Sequence, residues 1–137
     1  MKARIKDIIA ATDVLAAINI SKVSEKTVKQ TLYNDYLYLR RIRKDAEEER
    51  REIVDKFQED FGEEVAVVNV IRQRGGILEG HEAFEEAEKD ANSVIQKLFE
   101  REVEVETKTI SWDAFTAAVK SDLTLEQMAA LDGFVID

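Results

Sequence analysis

Apolar residues recur at helical spacing between residues 24 and 61, and this stripe is the strongest pattern in the chain. Its members follow one another at steps of three, four or seven positions: Val28, Leu32, Leu39, Ile42, Ala46, Ile53 and Phe57. Such a stripe is typical of one buried helix face. Ser24 could cap the first turn through its hydroxyl, and Gly62 is a common type of helix end. We therefore predict one long helix over residues 24–61.

A second apolar seam lies within residues 81–101. Its members alternate between steps of three and four: Phe84, Ala87, Ala91, Val94 and Leu98. This is the repeat by which helices pair in coiled coils. The two seams together predict a long antiparallel helical hairpin, although the same pattern could instead join two chains in a dimer.

The segments around these helices carry signals for shorter elements. Residues 5–18 have the apolar spacing of a short amphipathic helix. Between the long helices, a β-branched run, the pair Gly75 and Gly76 and a second short apolar run predict a small β-hairpin over residues 65–79. Strict alternation over residues 102–109 predicts a strand at a sheet edge, where repeated glutamates discourage aggregation.

Cap residues predict two short helices near the C-terminus. Ser111 starts one, and Thr124 with Gln127 forms a capping box that starts the other. We expect these helices to share a small core of Trp112, Phe115, Val119, Leu131, Phe134 and Ile136. The predicted fold is therefore mainly α, as a single domain over residues 1–137, in which residues 102–137 supply a strand plus the two short helices.

Composition argues against several classes of function. With no cysteine and one histidine, His81, the chain offers few ligands for zinc or redox metals and no thiol nucleophile. His81 itself is expected to be a cap or an exposed loop residue. Gly75 and Gly76 lack the lysine and hydroxyl residue of a phosphate-binding loop. We therefore expect no enzyme activity, no catalytic residue, no metal and no cofactor, and no small-molecule ligand is evident.

Charge and hydropathy narrow the possible partners. The net charge is −9, from 29 acidic and 20 basic residues, which disfavours general nucleic-acid binding because that binding depends on neutralising phosphates. No apolar run approaches the roughly 18 residues that a membrane span needs. Asp7 and Asp13 interrupt the apolar stretch near the N-terminus, so we expect no export signal and no membrane partner.

A second face of the long helix is the candidate interaction site. On a helical projection, its members lie roughly 100–140° from the main stripe: Tyr33, Leu37, Arg40, Arg41 and Lys44. Tyrosine and arginine are enriched in binding hot spots. Three interpretations are open: the N-terminal or C-terminal helices of the same chain cover this face, a partner protein or second subunit covers it, or its basic cluster contacts nucleic acid. The acidic residues that directly follow the cluster argue against nucleic acid.

The order of these features resembles that of small uncharacterised helical proteins encoded by tailed bacteriophages and prophages. The resemblance rests on the start of the long helix, VSEKT at residues 23–27, and on the acidic strand EVEVE at residues 102–106. It also includes Ile110 with Ser111 and the closing segment LTLEQMAALD at residues 123–132. It covers most of the chain in order and supplies no catalytic residues.

Resemblance and composition together suggest a function. We expect a non-enzymatic phage or prophage protein, structural or associated with assembly, that acts through contacts with other phage proteins or with itself. An alternative is a small regulatory or inhibitory binder of a host protein. The resemblance implies a location in the host cytoplasm or in the virion.

Overall fold

The computed structural model describes all 137 residues, and their contacts divide the chain into two compact units. The first unit consists of Met1–Asp45 together with Glu100–Asp137, and the second is Ala46–Phe99. Five α-helices and one two-stranded antiparallel sheet confirm the prediction of a mainly α fold. None of the helices carries a stretch long and apolar enough to cross a membrane.

The first unit begins with a short strand that leads directly into a helix. Strand β1 (Lys2–Arg4) pairs antiparallel with β2 (Glu102–Glu104). Helix α1 (Ile5–Ala17) follows and packs against the C-terminal part of the chain, close to the prediction for residues 5–18. Its buried Thr12 hydroxyl donates to the Ile8 carbonyl at 2.7 Å, so this polar side chain enters the core without an unpaired donor.

The long helix α2 (Lys26–Gln73) differs from its prediction at both ends. Glu25, rather than Ser24, caps it: the Glu25 carboxylate accepts from the N–H groups of Thr27 at 3.0 Å and Val28 at 2.8 Å. These two backbone donors hold the pKa of Glu25 below its ordinary value. The Ser24 N–H donates instead to the Ala118 carbonyl at 3.0 Å and so ties this junction to the C-terminal part of the unit.

The predicted β-hairpin at residues 65–79 is wrong, because α2 continues to Gln73 and is followed by a turn. The β-branched residues of this stretch serve as one side of a helix: Val68 is fully buried, whereas Val67 and Val70 are about half exposed. This is helical rather than alternating burial, since a strand would bury every second residue. Packing has overridden the β-propensity of the individual residues.

In the second unit, the end of α2 packs against α3 (Glu82–Glu100), which confirms the predicted second helix at residues 81–101. Phe84 is buried, with its ring 5.2 Å from that of Phe57 and 6.0 Å from that of Phe61, both in edge-on geometry. Arg72 donates two hydrogen bonds to the Glu88 carboxylate, at 2.8 and 3.1 Å. Leu98 of the predicted seam is also buried, but Val94 is half exposed and does not belong to the packed face.

These contacts require α2 to bend between Phe57 and Arg72. In a straight helix, residues 15 positions apart lie about 22 Å apart along the axis. Both side chains nevertheless reach Phe84, whose ring centroid is 5.2 Å from the Phe57 centroid and 6.0 Å from the Arg72 guanidinium carbon. The path from the Phe57 Cα through the Phe84 ring to the Arg72 Cα therefore spans only about 21 Å, even if both side chains are fully extended and collinear. Gly62 is the only glycine between the two residues, and it lies within the stretch that bends.

The predicted C-terminal helices are confirmed as α4 (Trp112–Ala118) and α5 (Leu125–Leu131). Both predicted caps form, with Ser111 accepting from the Ala114 N–H and Thr124 forming the capping box with Gln127. Phe115, Val119, Leu131, Phe134 and Ile136 are buried in the core of the first unit. Trp112 is not part of this core, because 46% of it is exposed. The acidic strand is also shorter than predicted, since residues 105–109 lie outside β2.

We expect the two units to unfold in one transition, as a single domain would, because α2 runs without interruption from the first into the second. Phe84→Ala removes the buried ring of the second unit and should cost about 3–5 kcal/mol. Trp112, the only tryptophan, lies in the first unit and reports on it by fluorescence. The Trp112 transition in urea should therefore move to lower concentration in the variant. An unchanged Trp112 transition, beside an earlier loss of helical circular dichroism, would instead establish two domains.

Gly62 and Gly80 should respond oppositely to alanine. Gly62 is helical, and an added methyl would meet only the flexible end of Gln58, at 3.3 Å. Gly62→Ala should therefore raise the free energy of unfolding by about 0.5–1 kcal/mol. Gly80 has a φ of +84° and open space around it, so Gly80→Ala should lower stability by about 1–2 kcal/mol through backbone strain alone. Urea denaturation of both variants checks this pair, and a loss on Gly62→Ala would show that the bend requires glycine.

Candidate interaction surface

The first part of α2 presents a buried face and a more exposed face within the first unit. The buried face contains Val28, Leu32 and Leu39 of the predicted stripe and belongs to the core. The five residues predicted as an interaction site are less covered: Tyr33 is 51% exposed, Leu37 is half-buried, and Arg40, Arg41 and Lys44 are exposed. The helices of the same chain therefore leave this face largely open.

An apolar cleft lies beside Tyr33, where the end of α1 and the segment after it face α2. It has a volume of about 220 Å³ and is lined by Leu15, Ala16, Ile18, Ile20, Leu32, Tyr33 and Tyr36. Pockets for drug-sized ligands usually measure about 300–1,000 Å³. The cleft is smaller than that range, so its size suits one large apolar side chain better than a cofactor.

Most of the cleft lining could not be found from the α2 pattern. Helical periodicity on α2 predicts Tyr33, whereas Leu15, Ile18 and Ile20 enter the cleft only because the chain turns back after α1. This turn is a short 3₁₀ helix (Ile20–Lys22), held by Asn19, whose side chain accepts from the Ser21 N–H at 3.1 Å. Its position beside α2 is a tertiary feature that no local pattern specifies.

The cleft lies along the most basic part of an acidic chain. Residues 26–44 contain six basic side chains and one acidic side chain, Asp35, while the whole chain carries a net charge of −9. Arg43 forms an ion pair with Asp13 of α1. Five basic residues of this stretch remain for contacts outside that pair: Lys26, Lys29, Arg40, Arg41 and Lys44.

Asp35 is a buried carboxyl that the α2 pattern could have revealed. It fills the position between Leu32 and Leu39 where the apolar stripe has a gap of seven residues. Only 4% of the residue is exposed, one carboxylate oxygen accepts from the Lys108 N–H at 3.0 Å, and the other has no hydrogen-bond partner. Burial raises the pKa of Asp35 to about 6, and the hydrogen bond and charge of Lys108 offset only part of that rise.

A polar cleft of about 520 Å³ borders Asp35 and shares no lining residue with the apolar cleft. It is lined by Thr27, Gln30, Thr31, Asn34, Asp35, Tyr38, Glu106 and Lys108. The Tyr38 hydroxyl oxygen accepts from the Glu106 N–H at 3.0 Å. Asp35 and Tyr38 thus both satisfy backbone donors in the irregular segment after β2, and their role here is to hold that segment on α2.

The chain's one histidine belongs to the second unit. His81 directly precedes α3, as predicted, and its Nδ1 lies 3.0 Å from a carboxylate oxygen of Glu64 in the second unit. No group of three or more histidine, cysteine, aspartate or glutamate side chains is arranged to hold a metal ion. The arrangement around Tyr33 can thus offer apolar contact and positive charge, which are means of recognition.

Comparison of the chain with protein-family models, with curated proteins and with solved structures finds no match. What the chain does must therefore be inferred from its own residues.

The buried Asp35 carboxyl should make stability depend on pH. A rise in pKa from 3.8 to about 6 on folding corresponds to about 3 kcal/mol of destabilisation at neutral pH. Below pH 3.8 the carboxyl is protonated in both the folded and the unfolded chain, so this penalty is absent. It grows as the pH rises from 3.8 to about 6 and stays constant above that value.

Asp35→Asn tests this dependence, since it keeps an oxygen for the Lys108 N–H and removes the charge. The difference in free energy of unfolding, variant minus wild type, should increase by about 2–2.5 kcal/mol between pH 4 and pH 7 in urea denaturation, because part of the penalty is already present at pH 4. Asp122→Asn, at an exposed position, controls for the change in net charge. A difference for Asp35→Asn that does not vary with pH would contradict the burial of an ionisable carboxyl at this position.

Proposed function

We propose that this chain is a non-enzymatic protein that works through contacts with other proteins, and that its contact surface is the open side of α2 around Tyr33. The observation that carries this proposal is the apolar cleft in the first unit. Its rim exposes about half of Tyr33 and more than a third of Ile20. Aromatic side chains beside arginines are the usual composition of an energetic centre in an interface.

The surface has the mixed character of a reversible interface rather than of a missing piece of core. Tyr33, Tyr36 and Leu37 form its apolar centre, and Arg40, Arg41 and Lys44 continue it along the helix. Tyrosine gives a large contact area while its hydroxyl still tolerates water, so such a surface can remain exposed before a partner binds. Arginine adds directional hydrogen bonds to carboxylates.

From the resemblance to proteins of tailed phages and prophages, we propose that these contacts are made in the virion or during its assembly. The two candidate settings differ in the partner they require. A structural or assembly role requires another phage protein, or a second copy of this chain, on the α2 surface. A regulatory role requires one host protein there.

Site-specific photocross-linking would identify the partner in cells that produce the particles. A photoreactive phenylalanine analogue at Leu37 or Tyr33 should give one dominant cross-linked protein, because both side chains lie on the proposed surface. The analogue at Leu125, which is 83% exposed on α5, is the matched control and should not give that product. Mass spectrometry then assigns the product to a phage component or to a host protein.

Identical cross-linked products from Leu37 and Leu125, or none from Leu37 and Tyr33, would contradict the proposed surface. A phage component that is also found with the chain in purified particles supports the structural role. A single host protein supports the regulatory alternative.

A further inference from the structure

The charges beside the apolar cleft define the chemistry of its partner more closely. The five basic residues left by the Arg43–Asp13 pair lie on both sides of the cleft along α2. Lys26 and Lys29 precede Tyr33 by seven and four residues, and Arg40 and Lys44 follow it by seven and eleven. At about 1.5 Å per residue, the cations extend about 10 Å before and about 16 Å after Tyr33.

We infer that the docking element of the partner is an acidic amphipathic helix, which places one large apolar side chain in the cleft and carboxylates along both basic flanks. This inference rests on the proposed function and specifies its partner. From Lys26 to Lys44 the cations span about 27 Å, which is the length of a helix of about 18 residues. One helix laid along α2 could therefore meet both flanks while its central side chain fills the cleft.

The volume and lining of the apolar cleft determine which side chain of the partner fits into it as an anchor. A cleft of about 220 Å³ with an apolar lining accepts one leucine, methionine or phenylalanine side chain. The tyrosine at its rim can cover that side chain and exclude water from its edge, which strengthens the ion pairs at the flanks. The anchor supplies affinity, and the carboxylates fix the orientation of the helix and raise its rate of association.

Other occupants fit the charge pattern less well. A nucleic acid would meet the acidic residues Glu47, Glu48 and Glu49 directly after the basic stretch, in a chain of net charge −9. A second copy of the chain remains an outcome that the experiment separates.

Binding of designed peptides tests this inference directly. The probe is a fluorescein-labelled helical peptide of about 18 residues with leucines at i, i+3 and i+7 and glutamates on either side of them. Two matched peptides replace the glutamates by lysine or the leucines by alanine. Fluorescence polarisation with the full chain should show the acidic leucine peptide binding at least about tenfold more tightly than either matched peptide.

Variants of the chain locate the binding. Tyr33→Ala should weaken the acidic peptide at least about tenfold at any salt concentration, because it removes the rim of the cleft. Arg40→Glu with Lys44→Glu should weaken it mainly at low salt, because screening already reduces the wild-type attraction at high salt. Leu125→Ala changes an equally accessible apolar residue on α5 and should have no effect. Unchanged thermal unfolding of each variant verifies that the fold is intact.

Three outcomes would overturn the inference. Equal affinity for the acidic and lysine peptides would show that the cleft selects an apolar anchor without a charge preference, and the proposed function would stand. Absence of binding by all three peptides would exclude a helical docking element, and the photocross-linking result would then decide the proposed function alone. A dimer in light scattering that Tyr33→Ala dissociates would identify a second copy as the occupant.

Discussion

Burial of one face along the first part of α2 is the constraint on which the first unit depends. Val28, Leu32 and Leu39 belong to the same core as buried residues of α1, α4 and α5, so these elements are organised around one helix surface. Asp35 interrupts that surface with a carboxyl group, which accepts the Lys108 N–H and holds the segment after β2 in place. Burying this carboxylate costs stability, but its hydrogen bond to Lys108 fixes the position of an otherwise irregular segment.

The same constraint leaves the neighbouring face of α2 available. Because a helix of this kind buries only part of its circumference, residues such as Tyr33 and Arg40 turn away from the core while lying on the same rigid element. A rigid helix presents its side chains at fixed spacing, so less conformational entropy is lost when a partner binds. The turn after α1 completes the surface by placing Ile18 and Ile20 opposite Tyr33.

The sequence was most informative where one local signal was sufficient. The apolar spacing of α1 and α3 and the caps at Ser111 and Thr124 specified elements that the structure confirms. Predictions from local sequence signals were wrong where tertiary packing outweighed the intrinsic helix or strand propensity of the residues. The helix continues through Gly62 because a glycine costs a helix only about 1 kcal/mol, and the burial of Val68 beyond it more than offsets that cost. Within the candidate site, the side chains on α2 followed from helical periodicity. The α1 side of the cleft depends on tertiary placement, and Asp35 was visible only as a gap in the stripe.

The ionisation of Asp35 is the decisive measurement, because it reports whether this face of α2 is closed around the carboxyl group. In uniformly ¹³C,¹⁵N-labelled protein, the Asp35 carboxyl carbon should titrate with a midpoint near pH 6, and the Lys108 amide should shift at the same midpoint and exchange slowly with solvent. A midpoint close to the ordinary value of 3.8, together with a rapidly exchanging Lys108 amide, would show that the stripe is open at Asp35. The organisation of the first unit around α2 would then be wrong.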